Sequence, residues 1–333
     1  MPADNASQPL VSVIALCYNH ARFAIDCLES IFAQTYRKTE LIIMDDASTD
    51  SSVQVIRDWI SSRGLKCTFI AHSHNVGVCG TLNEALSRAT GKYISMVSTD
   101  DSWEPDKLER QVPMMETAPE DVGVLYSDAW RMNEDGVRIP GMFIESYGHF
   151  STMPTGDIFP ILFDGNFIPA MTTLVRRTCY ATVGLYDERL SYEDWDMWLR
   201  IARVYKYLSS TRVSATYRLV STSLVKSLLE PNNARALYSH FLVFAKCLAP
   251  LKPDQVRYRV AIDRVARFAE DLYRLHHPER LRSLRIVLGH SSVLRKTARL
   301  RLYLLCACSH LRLPYPTFCW LDKWMTKLLG RAK

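Results

Sequence analysis

Between about residues 10 and 97, short continuous apolar runs alternate with segments in which apolar residues return every three or four positions. Leu10–Leu16 is a β-rich run broken only by Ser12, the pattern of a parallel strand covered on both faces. Cys17-Tyr18-Asn19-His20 reads as a loop. Phe23, Cys27, Leu28, Ile31 and Phe32 then recur at helical spacing and predict a helix over Ala21–Gln34. Glu40–Met44 predicts a second strand that stops at Asp45-Asp46. Asp50 stands as a cap ahead of Val53, Val55, Ile56 and Trp59. Lys66–Ile70 predicts a third strand, Asn75-Val76-Gly77 a turn, Thr81–Ala89 a helix and Tyr93–Val97 a fourth strand. This order predicts an α/β fold with a mostly parallel sheet and helices on both faces.

Further on the pattern changes. Val122–Tyr126 and Ala170–Val175 read as strands, and Trp130–Ile139, with Asn133-Glu134-Asp135-Gly136 in its middle, reads as a hairpin. Asp194–Val204 has helical spacing and Lys206–Val220 is β-rich. From about Glu230 the chain reads as helical, punctuated by Pro231, Pro253, Pro278 and Pro314. A boundary is expected near residue 225, between an α/β domain over 1–225 and a helical region over 226–333.

Composition adds an asymmetry. The 333 residues are 48% hydrophobic and carry a net charge of only +6. From Arg280 to the end, however, 12 Lys and Arg face one acid, Asp322, whereas the preceding residues carry 29 bases against 34 acids. The basic segment alternates charge with Leu281, Leu284, Val287, Leu294 and Leu305, followed by Tyr303, Tyr315, Phe318, Trp320 and Trp324. That composition suits an amphipathic surface on an anionic membrane. The alternatives are a helical cap with a solvated basic face and a dimer interface. No recognised nucleic-acid module accompanies the charge, so no nucleic-acid partner is expected. Met1–Gln8 lacks the pattern of a signal peptide, and no stretch approaches the roughly 18 apolar residues of a spanning helix. Nine scattered cysteines, an odd number, read as reduced thiols in a cytoplasmic protein, with association at the cytoplasmic membrane face as an option. Cys306 and Cys308 have no matching second pair for zinc.

The chemistry gathers where the apolar runs stop. In an open α/β sheet ligands bind beyond the carboxyl ends of the strands. There the chain places Tyr18 and Asn19, Asp45 and Asp46, Asn75 and Gly77, and Asp100 and Asp101. Two adjacent carboxylates suit Mg²⁺ or Mn²⁺, which in turn suits a diphosphate. Another carboxylate could accept from the N3–H of uracil or thymine. Asp100-Asp101 before Ser and Pro also reads as a turn and helix cap. Neither Gly-X-Gly-X-X-Gly nor a P-loop is present, which disfavours a dinucleotide site and leaves a bound metal as the diphosphate anchor. His72 and His74, at a strand end, read as loop or solvent contacts, and Asp50 and Ser48 as caps.

Taken in order, these residues resemble the family 2 glycosyltransferases of the GT-A fold. The likeness rests on Val11-Ser12-Val13-Ile14 with Cys17-Tyr18-Asn19, Ser30–Tyr36, Glu40–Asp50, Asn75-Val76-Gly77 with Asn83, and Asp100-Asp101 with Trp103, Pro105 and Lys107-Leu108. It continues through Gly184–Glu188 and Glu193–Arg200, and covers about residues 9 to 223. The resemblance implies a GT-A, Rossmann-like fold with a nucleotide half over about 9–125 and an acceptor half over about 126–225. It implies inverting transfer from a nucleotide-diphosphate sugar, with UDP the expected nucleotide, to a saccharide or lipid-linked acceptor. By position, Asp46 would read the base with Tyr18 near it. Asp45 would support the loop or ribose, and Asn19, Asn75, Gly77 and Asn83 would complete the donor site. Asp101 would ligate Mn²⁺ or Mg²⁺, and Asp100 would contact metal, ribose or sugar. Asp194 would be the general base, ionised near a helix N-terminus. Glu193, Trp195 and Asn166 would line the acceptor side, although Glu193 also reads as support for the helix and Trp198 as core.

Two positions depart from the family. Ser98 stands where many relatives have a further acid, and Val220 where many have a His after Tyr217-Arg218. Water, Arg218 or a C-terminal residue would take that place. A nucleotidyltransferase and a non-catalytic sugar-nucleotide scaffold on the membrane remain as alternatives to the transferase.

Overall fold

A computed structural model of the chain describes residues 8–147, 150, 152–221, 226, 228, 230, 232–252, 255–290, 292–294, 296–310 and 315–330. The chain divides into two compact units, Met1–Ser223 and Leu224–Lys333. The boundary expected at residue 225, Pro231, Pro253 and Pro314 lie outside the described residues, as do residues 1–7.

The first unit opens with β1 (Val11–Cys17), α1 (Ala24–Phe32), β2 (Thr39–Asp45), α2 (Ser52–Arg63), β3 (Thr68–Ala71), α3 (Gly77–Arg88) and β4 (Tyr93–Ser98). Each strand falls on its predicted apolar run. β1 lies between β2 and β4, with β3 outside β2, all parallel. Their register sets Cys17 opposite Asp45, Leu16 opposite Ser98 and Asp45 opposite Ala71. The carboxyl ends are therefore level, and the loops leaving them share one edge. Val13, Ala15, Ile43 and Val97 of the strands and Leu28 and Ile56 of the helices are buried together in the core. Burying whole apolar side chains of this kind stabilises by roughly 1.5–3 kcal/mol each, against the entropy of ordering them.

Then follow β5 (Ser102–Trp103), α4 (Lys107–Thr117), β6 (Val122–Met132), β7 (Arg138–Met142), α5 (Phe143–Tyr147), α6 (Phe159–Asp164), a 3₁₀ turn (Ala170–Thr172), β8 (Leu174–Arg176), α7 (Arg177–Val183), α8 (Asp194–Ile201) and β9 (Lys206–Arg218). The described residues form one sheet in the order β3-β2-β1-β4-β8-β6-β9-β5, with β7 paired to β6. β8 runs antiparallel to both β4 and β6, so the sheet is parallel at its first end and mixed beyond. The predicted hairpin is present, with Asn133 Oδ1 accepting the N–H groups of Asp135 and Val137 in its turn.

The first helix is shorter than expected, Ala24–Phe32, and the strand from Val122 runs on to Met132; three further boundary differences have a local cause. The segment 170–175 is a strand only from Leu174. Pro169 has no N–H to give a ladder, and its carbonyl instead accepts the N–H of Thr172 (3.0 Å) and its hydroxyl (2.8 Å), closing the 3₁₀ turn. α3 starts at Gly77 rather than Thr81, because a carboxylate satisfies the first N–H groups. α8 ends at Ile201, whose carbonyl takes the N–H groups of both Val204 and Tyr205.

The second unit comprises α9 (Ala234–Leu248), α10 (Val256–Arg274), α11 (Arg280–Gly289), α12 (Lys296–His310) and α13 (Tyr315–Gly330). Pro278 lies between α10 and α11. Phe241, Phe244, Ile262, Val265, Leu284 and Phe318 are buried in it. Arg301 joins Glu270 (2.5 Å) to Asp322 (3.3 Å). Among the described residues no helix is long and apolar enough to cross a membrane.

Candidate active site

The loops at the carboxyl edge are tied to one another by side chains. Asp45, at the end of β2, is fully buried and accepts the N–H (2.8 Å) and hydroxyl (2.6 Å) of Ser48. Ser48 Oγ accepts the N–H of Asn19 (2.8 Å), and Asn19 Oδ1 accepts the N–H of Thr49 (2.7 Å). Asn19 (φ 57°) and Ala47 (φ 61°) are both left-handed. Asp50 accepts the N–H groups of Ser52 and Ala21, fixing the start of α2 against the first loop. Tyr18 stands beside these bonds and is 46% exposed.

Asp46 faces the third loop. Its Oδ1 accepts the N–H of Val76 (2.8 Å), its Oδ2 that of Gly77 (2.9 Å), and its carbonyl accepts from Asn75 Nδ2 (3.0 Å). Gly77 has a φ of +83°, a conformation that L side chains rarely adopt. The carboxylate thus caps α3, where the helix dipole favours an anion. His72 lies between Asp46 and Glu84 at 3.1 Å from each. Asp46 Oδ2 carries one bond in this set and has a second lone pair for a ligand donor.

Asp100 and Asp101 follow β4 and are 9% and 4% exposed. Asp101 Oδ1 accepts the N–H of Arg218 (2.8 Å). The Arg218 guanidinium donates to the carbonyls of Asp100 (2.9 Å) and Glu134 (3.2 Å) and to Asp26 (3.2 Å), and it covers the Phe23 ring. Arg218 is therefore a buttress under the acid pair, with its donors engaged by protein groups. Burial, and next the charge of Asp100, push the Asp101 carboxyl well above the usual range. Asp100 Oδ1 is buried without a hydrogen-bond partner, while Oδ2 lies 3.7 Å from His20 Nε2. His20 Nδ1 is set by Thr99 Oγ1 at 3.1 Å.

Two dry carboxylates with an unsatisfied oxygen fit a hard divalent cation. Among the described residues no three His, Cys, Asp or Glu side chains converge on one point. A set of two suits Mg²⁺ or Mn²⁺, which retain water and substrate phosphates as ligands.

The second acid cluster opens α8. Asp194 Oδ2 accepts Asn166 Nδ2 (2.7 Å) and Oδ1 accepts the N–H of Trp195 (2.6 Å). Burial raises the Asp194 carboxyl, and these two bonds partly oppose it. Glu193 beside it is pushed up to about 8 by burial and then by the charge of Asp194. Trp195 Nε1 donates to the carbonyl of Leu162 (2.7 Å), which turns the ring toward α6, whereas Trp198 is fully buried. Asn83 holds the segment before α8: it donates to Tyr186 O (3.0 Å) and Glu188 Oε1 (2.9 Å) and accepts the N–H of Tyr186 (2.9 Å). Cys79 of α3 reaches Tyr192 O (3.7 Å). The helix that Asp46 caps therefore also carries the segment leading to Asp194.

The structure brings Tyr18, Asn19, Asp45, Asp46, Asn75, Gly77, Asp100 and Asp101 to one sheet edge. It sets Asn166, Glu193, Asp194 and Trp195 together at the start of α8. Asn83 has its amide committed to the 186–188 loop. Sequence reasoning did not single out His20, although it directly follows the first strand's loop motif, and it treated His72 only as a loop contact.

The family described as "Glycosyl transferase family 2" matches residues 12–163, and "Glycosyltransferase like family 2" matches residues 158–260. The Escherichia coli protein WfaP, named a UDP-Glc:alpha-D-GlcNAc-diphosphoundecaprenol beta-1,3-glucosyltransferase, is 31% identical over 67% of this chain and 84% of its own length. Of four Rickettsia glycosyltransferases at 27–28% identity, the chain spans 73%, 61%, 33% and 32% of the length. The S. aureus TarS 1–349 complex with UDP-GlcNAc superposes with a TM-score of 0.59 at 15% identity, over 91% of this chain and 92% of that one. The mannosyltransferase PcManGT of Pyrobaculum calidifontis, bound to GDP-Man and Mn²⁺, gives 0.54 at 18% identity, over 97% and 86%. Both likenesses concern the fold.

Proposed function

The chain belongs to glycosyl transferase family 2, and on that premise we propose that it moves a glycosyl group, with inversion, from a nucleoside-diphosphate sugar to a hydroxyl of a cell-envelope saccharide or lipid-linked acceptor. The observation that carries this reading is Asp194, a half-buried carboxylate oriented by Asn166 and by the first turn of its helix. It takes the acceptor proton as the hydroxyl oxygen attacks the anomeric carbon from the face opposite the diphosphate. The anomeric C–O bond to the diphosphate breaks, and the nucleoside diphosphate leaves with the electron pair. One base is enough, because a diphosphate leaves without taking a proton.

Asp46 Oδ2, with Tyr18 beside it, receives the base N–H, and the names of WfaP and the TarS complex favour uracil. Asn19, Asp45, Asn75 and Gly77 shape the donor edge, and Asn83 contributes through the loop it holds. Asp100 and Asp101 would hold Mn²⁺ or Mg²⁺, which would neutralise charge on the departing diphosphate; the Mn²⁺ in the PcManGT complex supports this assignment. Glu193, Trp195 and Asn166 border the acceptor. Residues 9–125 form the donor half and 126–225 the acceptor half.

The diphosphoundecaprenol in the WfaP name points to an acceptor at a membrane. The basic C-terminal region, with Tyr303 52% and Trp320 65% exposed, suits the anionic cytoplasmic face. Nine free thiols agree with a cytoplasmic enzyme.

The test is turnover of a nucleotide-sugar panel with Mn²⁺, reading released nucleoside diphosphate. Wild type should consume one donor, and Asp194→Asn should be slower by about a thousandfold. Pyrophosphate as product would move the protein to nucleotidyl transfer. Equal rates in the two proteins would remove Asp194 as the base.

A further inference from the structure

β4 and β8 share two residue pairs, Tyr93 with Arg176 and Ile94 with Val175, and the ladder stops there. Beyond Ile94 the strand continues to Ser98 and the acid pair, while the facing chain turns into the 3₁₀ segment Ala170–Thr172. Carbonyls at such a break lose their ladder donors, and a buried carbonyl left without a donor is destabilising. Here side chains supply the donors. Lys107 Nζ, fully buried in α4, donates to Thr173 O (3.2 Å), Ser95 Oγ (2.8 Å) and Gln111 Oε1 (2.8 Å). Gln111 Nε2 donates to Thr172 O (2.9 Å), and Ser95 Oγ also donates to Thr173 O (2.6 Å). On the other side the single hydroxyl proton of Thr172, shared with Pro169 O (2.8 Å), reaches Ser127 O (2.9 Å), and Thr172 Oγ1 accepts the N–H of Ser127 (3.3 Å), standing in for a strand against β6.

Lys107 Nζ meets three neutral oxygens, and the Trp103 ring lies 4.5 Å from the nitrogen. These contacts include no carboxylate, so ion pairing does not explain the placement of Lys107. What it does hold is specific. Ser95 is on the strand that ends at Asp100 and Asp101. Thr172 closes onto Pro169, and the same short segment begins at Asn166, whose Oδ1 accepts the N–H of Ile168 (3.2 Å) and whose amide holds Asp194.

We propose that Lys107 and Gln111 are positioning residues that replace the missing ladder between β4 and the 166–173 segment, and so fix the base-holding Asn166 relative to the strand bearing the acid pair. The catalytic consequence rests on the transferase reading; the structural one does not. The experiment is hydrogen–deuterium exchange of the full chain, read peptide by peptide, with turnover measured in parallel. In Lys107→Met, amides in 166–173 should exchange about tenfold faster or more, while β1 and β2 stay protected. The acid limb of the kcat profile should move to higher pH, as in Asn166→Ala, because Asp194 loses a bond that favours its charged form. A merely destabilised fold would instead speed exchange in β1 and β2 as well and leave the limb in place. If Lys107→Met does not fold, Gln111→Glu keeps the acceptor for Lys107, removes the donor to Thr172 O and carries the same readouts. Unchanged exchange in 166–173 overturns the proposal whether or not the protein turns over sugar. Faster exchange in a protein whose wild type turns over no donor would keep the positioning role and refute the transferase reading.

Discussion

Glu193 and Asp194 begin α8 side by side, and burial raises both above the usual carboxylate range. A carboxyl whose folded pKa exceeds its unfolded value binds extra protons when folded, so its stabilising effect is complete below about pH 4.5 and lost as pH rises toward about 8 for Glu193. Glu193→Gln should therefore raise the melting temperature relative to wild type at pH 8 and lose that advantage near pH 4.5. Calorimetry of both proteins across that range checks it; a difference that does not vary with pH would show that Glu193 does not titrate as described. The acids at the strand ends were legible because an apolar run that stops at a carboxylate marks a sheet edge by composition alone. The tasks of Arg218, Lys107 and Asn83 were not, because each serves carbonyls that lack partners only once distant segments have met. Val220 shows the same limit: the chain reveals the absence of a His there, while His20 beside Asp100 becomes visible only in three dimensions.

At the scale of elements, the loop after β2 carries a residue in an unfavourable conformation. Ala47 is held at φ 61° by the bonds that link Asp45, Ser48 and Asn19. The left-handed region costs an L-residue roughly 1–2 kcal/mol that glycine does not bear, and glycine loses some of that advantage through unfolded-state entropy. Ala47→Gly should stabilise the fold by about 0.5–1 kcal/mol, seen as a higher denaturant midpoint at unchanged m-value; a lower midpoint would mean that the methyl contributes packing. The strands were readable from continuous apolar runs and the helices from their period. The start of α3 was not, since its first N–H groups are capped by Asp46, just beyond β2, rather than by a neighbour in sequence. The 3₁₀ turn at 170–172 escaped for a similar reason: its residues suit a strand, and what prevents one is Pro169 together with the end of the β4–β8 ladder.

For the whole molecule, the sequence conveyed the α/β class and the concentration of positive charge at one end of the chain, because both are sums over many residues. If that charge meets a membrane, neutralising exposed Arg282, Arg285 and Lys323 to Gln in the full chain should release it from vesicles containing anionic lipid, at about 1 kcal/mol for each charge near the surface. Sedimentation with vesicles at physiological salt checks this, and undiminished binding would remove the basic face as the anchor. The two-pair ladder between β4 and β8 has a different consequence, for how such enzymes diversify. A join of two residue pairs is a point at which the chain beside β4 can be exchanged for another without remaking β1 to β4. A chimera joined there would be viable only if the incoming segment again presents the carbonyls of Thr172 and Thr173 to the Gln111 amide and the Lys107 amine that wait for them in α4.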